Sequence, residues 1–265
     1  KLEGLRVGWD AGNGAAGPAL NPADDFQLFA LAIGYLSRNV RYRSDYRRAL
    51  GRVKRGTISA DNATANLVQR WGISYHAAPG SAFDRKLAVA RPDLSPASIV
   101  LAPALAGIGA QPLDMRALGD VRARIRMGDF LHIILADPDG DEHLCMCGPC
   151  HGPMAVMLPI GPNPFARLAS VERLCRRLNG MAAGPPAWRP PPFRRLHLVT
   201  LLQVLDGHQA GATQRELAAS LIHRRVRRYS AAEWVESKER KRVRRWLAEA
   251  VELRDGGYLR LLRGG

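Results

Sequence analysis

Five prolines in nine residues, GPPAWRPPP from Gly184 to Pro192, set the first limit on what this chain can fold into. Each proline fixes φ at about −65° and removes a backbone donor, so the stretch cannot sit inside a helix or a sheet and reads as a stiff connector. It divides the 265 residues into a long first part and a last part whose periodic segments are all helical. With 46% hydrophobic residues the chain has apolar material for a sizeable core and for more than one module.

Before the connector, Asp24 to Val53 carries Phe26, Phe29, Ile33 and Leu36 at near-helical spacing and then an Arg- and Tyr-rich half. This predicts two helices meeting near Asn39. In ADNATANLVQRWG a further helix takes Asp61 or Asn62 as N-cap and Gly72 as its stop, followed by Pro- and Ala-rich connecting sequence. Between Phe130 and Ile160 the period becomes that of strands: FLHIILAD, the turn PDGD, EHLCMCG and MAVMLPI predict a small antiparallel sheet. NPFARLASVERLCRRLNG then reads as a helix with Asn163 as N-cap, Pro164 in its first turn, Leu168, Val171, Leu174, Cys175 and Leu178 on one face, and Gly180 past its end.

After the connector, FRRLHLVTLLQVLDG is expected to stop at Gly207. ATQRELAASLI opens with a capping box, Thr213 and Glu216, and is expected to bury Leu217, Ala218, Leu221 and Ile222. A second box, Ser230 and Glu233, precedes a third long helix starting near Ser237. The expected fold is mainly α with a small antiparallel β element and a C-terminal helix-turn-helix-like helical domain. Residues 1–22 carry little weight as fold; a helical module is expected over 23–110, a central β-hairpin element plus helix over 111–183, and the last helical domain over 184–265.

Charge indicates what the last part meets. Lys and Arg outnumber Asp and Glu by 39 to 24, a net +15 with a sequence pI near 10.6. From Arg189 onward there are 17 basic and 8 acidic residues, so +9 lies there and +6 in the first 188. Such a balance favours polyanionic partners. On the helix after Ser237, Val243, Leu247, Ala250 and Val251 share one side, Lys238, Lys241, Arg245 and Glu252 project from the other, and Arg242 and Arg244 lie at the flanks. Its cations crowd the N-terminal turns and its Glu residues the C-terminal end, against a macrodipole preference of about 0.3–1 kcal/mol per exposed charge. A solvated face has no reason to accept that order, whereas a recognition helix presents those turns to a DNA groove. The preceding HRRVRRY adds four arginines suited to phosphate, although the chain from Ile222 to Ser237 is longer than a compact turn. No run of eighteen apolar residues and no secretion signal is seen, so neither a membrane span nor export is expected, and a cytoplasmic location is.

The same residues carry a resemblance. LDGHQAGATQRELAASLI, the basic helix and ELRDGGYLRLL resemble the C-terminal DNA-binding domain of RovC-type transcriptional activators of proteobacteria. YLSRNVRYRSDYRRAL, QRWGISYHAAP and ARPDL resemble the helical module that often precedes it, with Leu36, Arg38, Asn39, Tyr42, Asp45 and Tyr46 on its usual wording and Ile33 and Tyr35 where the family has Trp-x-Phe. The resemblance implies a non-enzymatic, sequence-specific, oligomeric transcription regulator that binds double-stranded DNA. It further implies an activator of secretion-system or mobile-element genes, with RNA polymerase or another transcription regulator as protein partner. Some relatives are antiactivators that bind another regulator instead of DNA. Carried over by position, Ser237, Lys238, Lys241, Arg242, Arg244 and Arg245 on the third helix and Gln214 and Arg215 on the second would face DNA, Arg242 and Arg245 reading bases. Arg224, Arg225, Arg227 and Arg228 would hold phosphate.

Two rival chemistries are weaker. DAGNGAAG, from Asp10, and DPDGD, Asp137 to Asp141, resemble loops of the phosphohexomutases, and alternating carboxylates suit a hard cation. The Ser-His-Asn-Pro setting of those enzymes is missing, and PDGD is sufficiently explained as a hairpin turn. In HLCMCGPCH, Cys147 and Cys150 have zinc-knuckle spacing, with His143, Cys145 and His151 nearby, but the distant second ligand pair is absent. No metal and no cofactor is therefore expected, and Leu144 and Met146 are expected to face a core with Cys145 and Cys147 on the strand's other face.

Overall fold

A computed structural model describes residues 28–75, 88–127, 129–149, 151–161, 163–186 and 189–264. Phe26, the loop from Asp10, Cys150 and Trp188 lie outside the described residues.

The segment LFALAIGYLS forms α1 (Leu28–Ser37) and is apolar almost all round. Such a helix is stable only when surrounded. What surrounds it comes from the far end of the chain: Leu31, Tyr35 and Leu36 share a cluster with Leu198, Leu202, Leu253, Tyr258 and Leu261. The expected break at Asn39 is present. Its Oδ1 accepts the backbone N–H groups of Arg41 at 2.9 Å and Tyr42 at 3.0 Å, which starts α2 (Val40–Lys54). Its Nδ2 donates to the carbonyl of Arg254 at 3.0 Å. Next to it Arg38, 1% exposed, forms a forked ion pair with Asp206, Nη2 donating to Oδ2 at 2.6 Å, and Tyr35 Oη donates to the Leu198 carbonyl at 2.7 Å. Three side chains thus fasten the α1–α2 junction to segments more than 160 residues away.

Helix α3 (Ala60–Trp71) is capped by Ser59 instead of Asp61 or Asn62, because the Ser59 hydroxyl accepts the backbone N–H of Asn62 at 3.1 Å, three residues on. Gly72 ends it as expected, at φ 77°, where a Cβ would lie 2.4 Å from the Leu94 side chain. A short antiparallel pair, β1 (Ile73–Tyr75) and β2 (Ala88–Ala90), occupies sequence expected to be mere connection.

The expected antiparallel element is corrected to a mixed sheet of five strands. These are β3 (Ser98–Pro103), β4 (Val121–Met127), β5 (Phe130–Leu135), β6 (Glu142–Cys147) and β7 (Met154–Met157), in the order β4-β5-β6-β3-β7. Strand β3 enters between β6 and β7, parallel to the first and antiparallel to the second. The burial of Leu144, Cys145 and Met146 fits this central place of β6, a strand covered on both faces between β5 and β3. At the edge, β4 alternates exposed Arg122, Arg124 and Arg126 with less exposed residues, and charge there discourages edge-to-edge pairing. PDGD is the β5–β6 turn, as expected.

One sheet face joins Ile99, Leu101, Ile133, Leu144 and Met146 to Val171 and Leu174 of α4 (Pro164–Leu178). The other inner face of that helix differs from expectation. Leu168, Cys175 and Leu178 are exposed, while Arg167, Ser170 and Arg173 are buried. Acidic groups on the sheet draw the arginines in: Arg177 reaches Asp137 at 2.6 Å and Glu142 at 3.1 Å, and Arg173 donates to the Gly140 carbonyl at 3.1 Å. Asn163 likewise makes no cap bond; it sits at φ 63° and its side chain donates to the Arg263 carbonyl. The opposite sheet face holds a polar chain, Ser98 Oγ to His143 Nδ1 at 2.7 Å and His143 Nε2 to His132 Nδ1 at 3.0 Å. Burial pushes His132 down to about 4, and burial together with His132 pushes His143 down to about 3.

Past the connector, α5 (Pro192–Gln209) does not stop at Gly207. That residue is buried within the helix, where a Cβ would come 2.5 Å from the Leu217 side chain, so the glycine allows α6 (Gln214–Leu221) to approach instead of ending α5. Both capping boxes are present, at Thr213–Glu216 and at Ser230–Glu233; the second starts a short α7 (Ala231–Glu236). A 3-10 turn (Arg224–Arg228) lies between α6 and α7. Then come α8 (Lys238–Glu252), a π-helical turn (Leu253–Gly257) and α9 (Tyr258–Leu262). Among the described residues, no helix is long and apolar enough to cross a membrane.

Two outcomes follow. Asp206→Ala strands a guanidinium that is 1% exposed and lowers stability by about 3–5 kcal/mol, whereas Arg38→Met with Asp206→Leu recovers much of the loss; urea unfolding of the three chains checks this. The two imidazoles are neutral in the fold, so as pH falls from about 6.5 towards 4 the unfolded chain takes up protons that the folded chain refuses. Stability present above that window is lost within it, by up to about 1.4 kcal/mol per pH unit for each histidine, and unfolding midpoints at about pH 7, 5.5 and 4.5 test it.

Candidate nucleic-acid interface

Val204 of α5, Leu217, Ala218 and Ala219 of α6, Val226 of the 3-10 turn and Val243 of α8 form one buried cluster, flanked by Tyr229, Trp234 and Trp246. In the sequence RRVRR only Val226 is inside, which forces Arg224, Arg225, Arg227 and Arg228 outward around it. The turn is tied to the start of α8 by His223 Nε2 and Glu239 Oε1, 3.3 Å apart. Four arginines and the first turns of α8 are therefore held against the same core.

Helix α8 presents the expected faces. Val243 and Ala250 are buried, Leu247 and Val251 half-buried, and Lys238, Lys241, Arg242, Arg244 and Arg245 exposed. The Arg242 guanidinium lies 5.9 Å from the centre of the Trp246 ring, a cation–π contact that leaves its edge free. Among the described residues, none of these five cations, nor any of the four on the 3-10 turn, is in an ion pair. The charge order is less adverse than the sequence suggested, because Glu239 in the first turn is 4% exposed and pointed inward. Burial pushes its carboxyl up, but the backbone N–H at the head of the helix, His223 and Lys238 together bring it below the ordinary value.

Two of the expected DNA-facing residues have structural duties. Ser237 is the N-cap of α8: its Oγ accepts the Arg240 N–H at 3.1 Å and donates to the Trp234 carbonyl at 2.8 Å, so the hydroxyl is fully engaged. Arg215 is half-buried and its Nε donates to the Val226 carbonyl at 3.2 Å, bracing the 3-10 turn from beneath. Gln214, at the first position of α6, is half-buried. These bracing roles had no sequence signal beyond the capping pattern, since they depend on which helices meet.

The rival sites read differently in three dimensions. In the β5–β6 turn Asp137 accepts from Arg177, and Asp141 pairs with Arg122 at 3.0 Å, so two of the alternating carboxylates already face arginine. Cys145 is buried, and burial followed by Cys147 pushes its thiol up to about 12; His151 is exposed. Among the described residues no group of three His, Cys, Asp or Glu side chains is placed to hold a metal ion.

Ser237→Ala removes the cap and lowers stability by about 1 kcal/mol, while Ser237→Asp retains most of it; chemical denaturation of the two variants measures the difference.

Residues 157–263 match the family model described as T6SS, transcription factor, DNA binding domain. Residues 15–76 match the proteobacterial transcriptional regulator-like domain, and residues 97–155 a domain of unknown function. No curated protein and no solved structure matches the chain. A match to the RovC DNA-binding domain thus follows a match to a proteobacterial regulator-like domain in one polypeptide, and the pair supports the RovC-type family of transcriptional regulators.

Proposed function

We propose that this regulator binds duplex DNA in a sequence-specific way through a helix-turn-helix-like unit, with α8 in the major groove and the 3-10 turn on the flanking phosphates. The observation that carries the reading is the set of unpaired cations on one core: Arg224, Arg225, Arg227 and Arg228 beside Lys238, Lys241, Arg242 and Arg245, all exposed. Arg242 and Arg245 are the base readers, since a guanidinium forks onto guanine, and the turn supplies affinity without sequence. In this reading the chain is an activator of secretion-system or mobile-element genes. It works in the cytoplasm as a homo-oligomer beside RNA polymerase, and no cofactor or catalytic group takes part.

A protein partner in place of DNA is favoured by one observation, the exposed apolar surface of Met157, Leu158, Ile160 and Phe165 between β7 and α4. Salt separates the two readings. Because α1 belongs to the core of the C-terminal helices, the whole chain is the proper sample. Its affinity for a mixed-sequence duplex is expected to fall with salt at a log–log slope of about −0.9 per phosphate contact. The variant Lys241→Ala, Arg242→Ala, Arg245→Ala, folded by circular dichroism, is expected to bind at least tenfold more weakly, at roughly 1.4 kcal/mol per tenfold. Equal binding by the variant, or no binding by the parent at low salt, sinks the DNA reading.

A further inference from the structure

Helix α2 is a second strongly basic element, and the C-terminal reading leaves it unused. VRYRSDYRRALGRVK and the following Arg55 hold Arg41, Arg43, Arg47, Arg48, Arg52, Lys54 and Arg55 against a single acid, Asp45. Its inner face is occupied. Tyr42 is buried and meets the Trp71 ring edge-on at 5.7 Å, and Asp45 accepts from Trp71 Nε1 at 3.2 Å and pairs with Arg48 and Arg70. The outer face is a shallow groove floored by Ser44 and Gly51 and walled by Arg47, Arg48, Arg52 and Arg55. Among the described residues, Arg47, Arg52 and Arg55 have no acidic partner.

A solvated helix face interleaves opposite charges at i and i+4. Here like charges stack at that spacing, Arg43 above Arg47 and Arg48 above Arg52, and the macrodipole excuses cations only in the last turn. A polyanion relieves the repulsion, and a run of guanidinium groups matches phosphate by forked hydrogen bonds. A lipid surface fits less well, because the aromatic face that an interfacial helix would insert is already buried on Trp71. The start of α2 is also fixed to the C-terminal helices by Asn39 on Arg254 and Arg38 on Asp206, so its position relative to α8 is set before any ligand arrives.

We propose that the arginine groove of α2 is a second DNA-backbone contact, separate from α8 and the 3-10 turn. It takes from the preceding reading only the identity of the partner. The test uses the full chain on a duplex of mixed sequence over a salt series, comparing Arg47→Ala, Arg52→Ala, Arg55→Ala with the α8 triple variant. A control, Arg116→Ala, Arg124→Ala, Arg126→Ala, removes the same charge from exposed residues elsewhere. Alanine favours helix, so the α2 variant keeps its fold, which circular dichroism verifies. The α2 variant is expected to bind more weakly at low salt, with a slope shallower by about 0.9 per lost contact, roughly 2 to 3 in all, while the control keeps the parent slope.

An unchanged slope in the α2 variant, or an equal drop in the control, overturns the proposal. Loss in the α2 variant with an unaffected α8 variant supports α2 and sinks the C-terminal reading; the reverse pattern does the opposite. A parent chain that binds no duplex overturns both. Unchanged DNA binding with lost attachment to phosphatidylserine vesicles assigns the groove to membrane surface instead.

Discussion

Arg38 has almost no water to turn to, and its pairing with Asp206 fixes where the first helix sits. A buried ion pair is a poor source of net stability, because desolvating two charges offsets most of their attraction. Its strength is geometric. The forked contact is satisfied at one relative placement of α1 and α5, and that placement lets Leu31 and Leu36 meet Leu202, Leu253 and Leu261. Asn39 adds a second constraint by capping α2 with one side-chain atom and holding the π-helical turn with another. Adjacent residues thus fix three helices, and the motif words Arg-Asn, Tyr and Asp turn out to be fasteners: Tyr42 is core and Asp45 ties α2 to Trp71.

The same use of buried charge recurs in the sheet. Arg173 and Arg177 of α4 lie over Asp137 and Glu142, so the loop that looked suited to a cation is occupied by guanidinium groups of its own chain. Burial raises the Glu142 carboxyl while Arg173 and Arg177 pull it down, and the balance remains above the ordinary value. Polar contacts of this kind hold the β unit to its helix with few apolar groups from α4 itself.

Local chemistry was the part legible in the sequence. The capping boxes at Thr213 and Ser230, the helix break near Asn39, the helix start near Ser237, the stop at Gly72 and the β5–β6 turn all act within a few residues, and each appears where the pattern put it. The basic turn and the exposed faces of α8 were legible for the same reason. What failed needed knowledge of distant neighbours. Gly207 looked like a helix end but faces Leu217; on α4 Val171 and Leu174 lie inside as the pattern put them, but Leu168, Cys175 and Leu178 are exposed and arginines turn inward because acids await them on the sheet. Strand β3 was missed since SIVLAP is short and its parallel partner lies some forty residues ahead. Nor does anything local reveal that Arg215 engages the Val226 carbonyl and Ser237 that of Trp234.

The burial of α1 also has a consequence for biosynthesis. Leu28–Ser37 is made well before much of what covers it, the residues between Leu198 and Leu262. At about 5–20 residues per second the gap is on the order of tens of seconds. Throughout that interval LFALAIGYL lacks most of the apolar partners it has in the finished fold. Among the described helices α1 is therefore made before most of the residues that shield it.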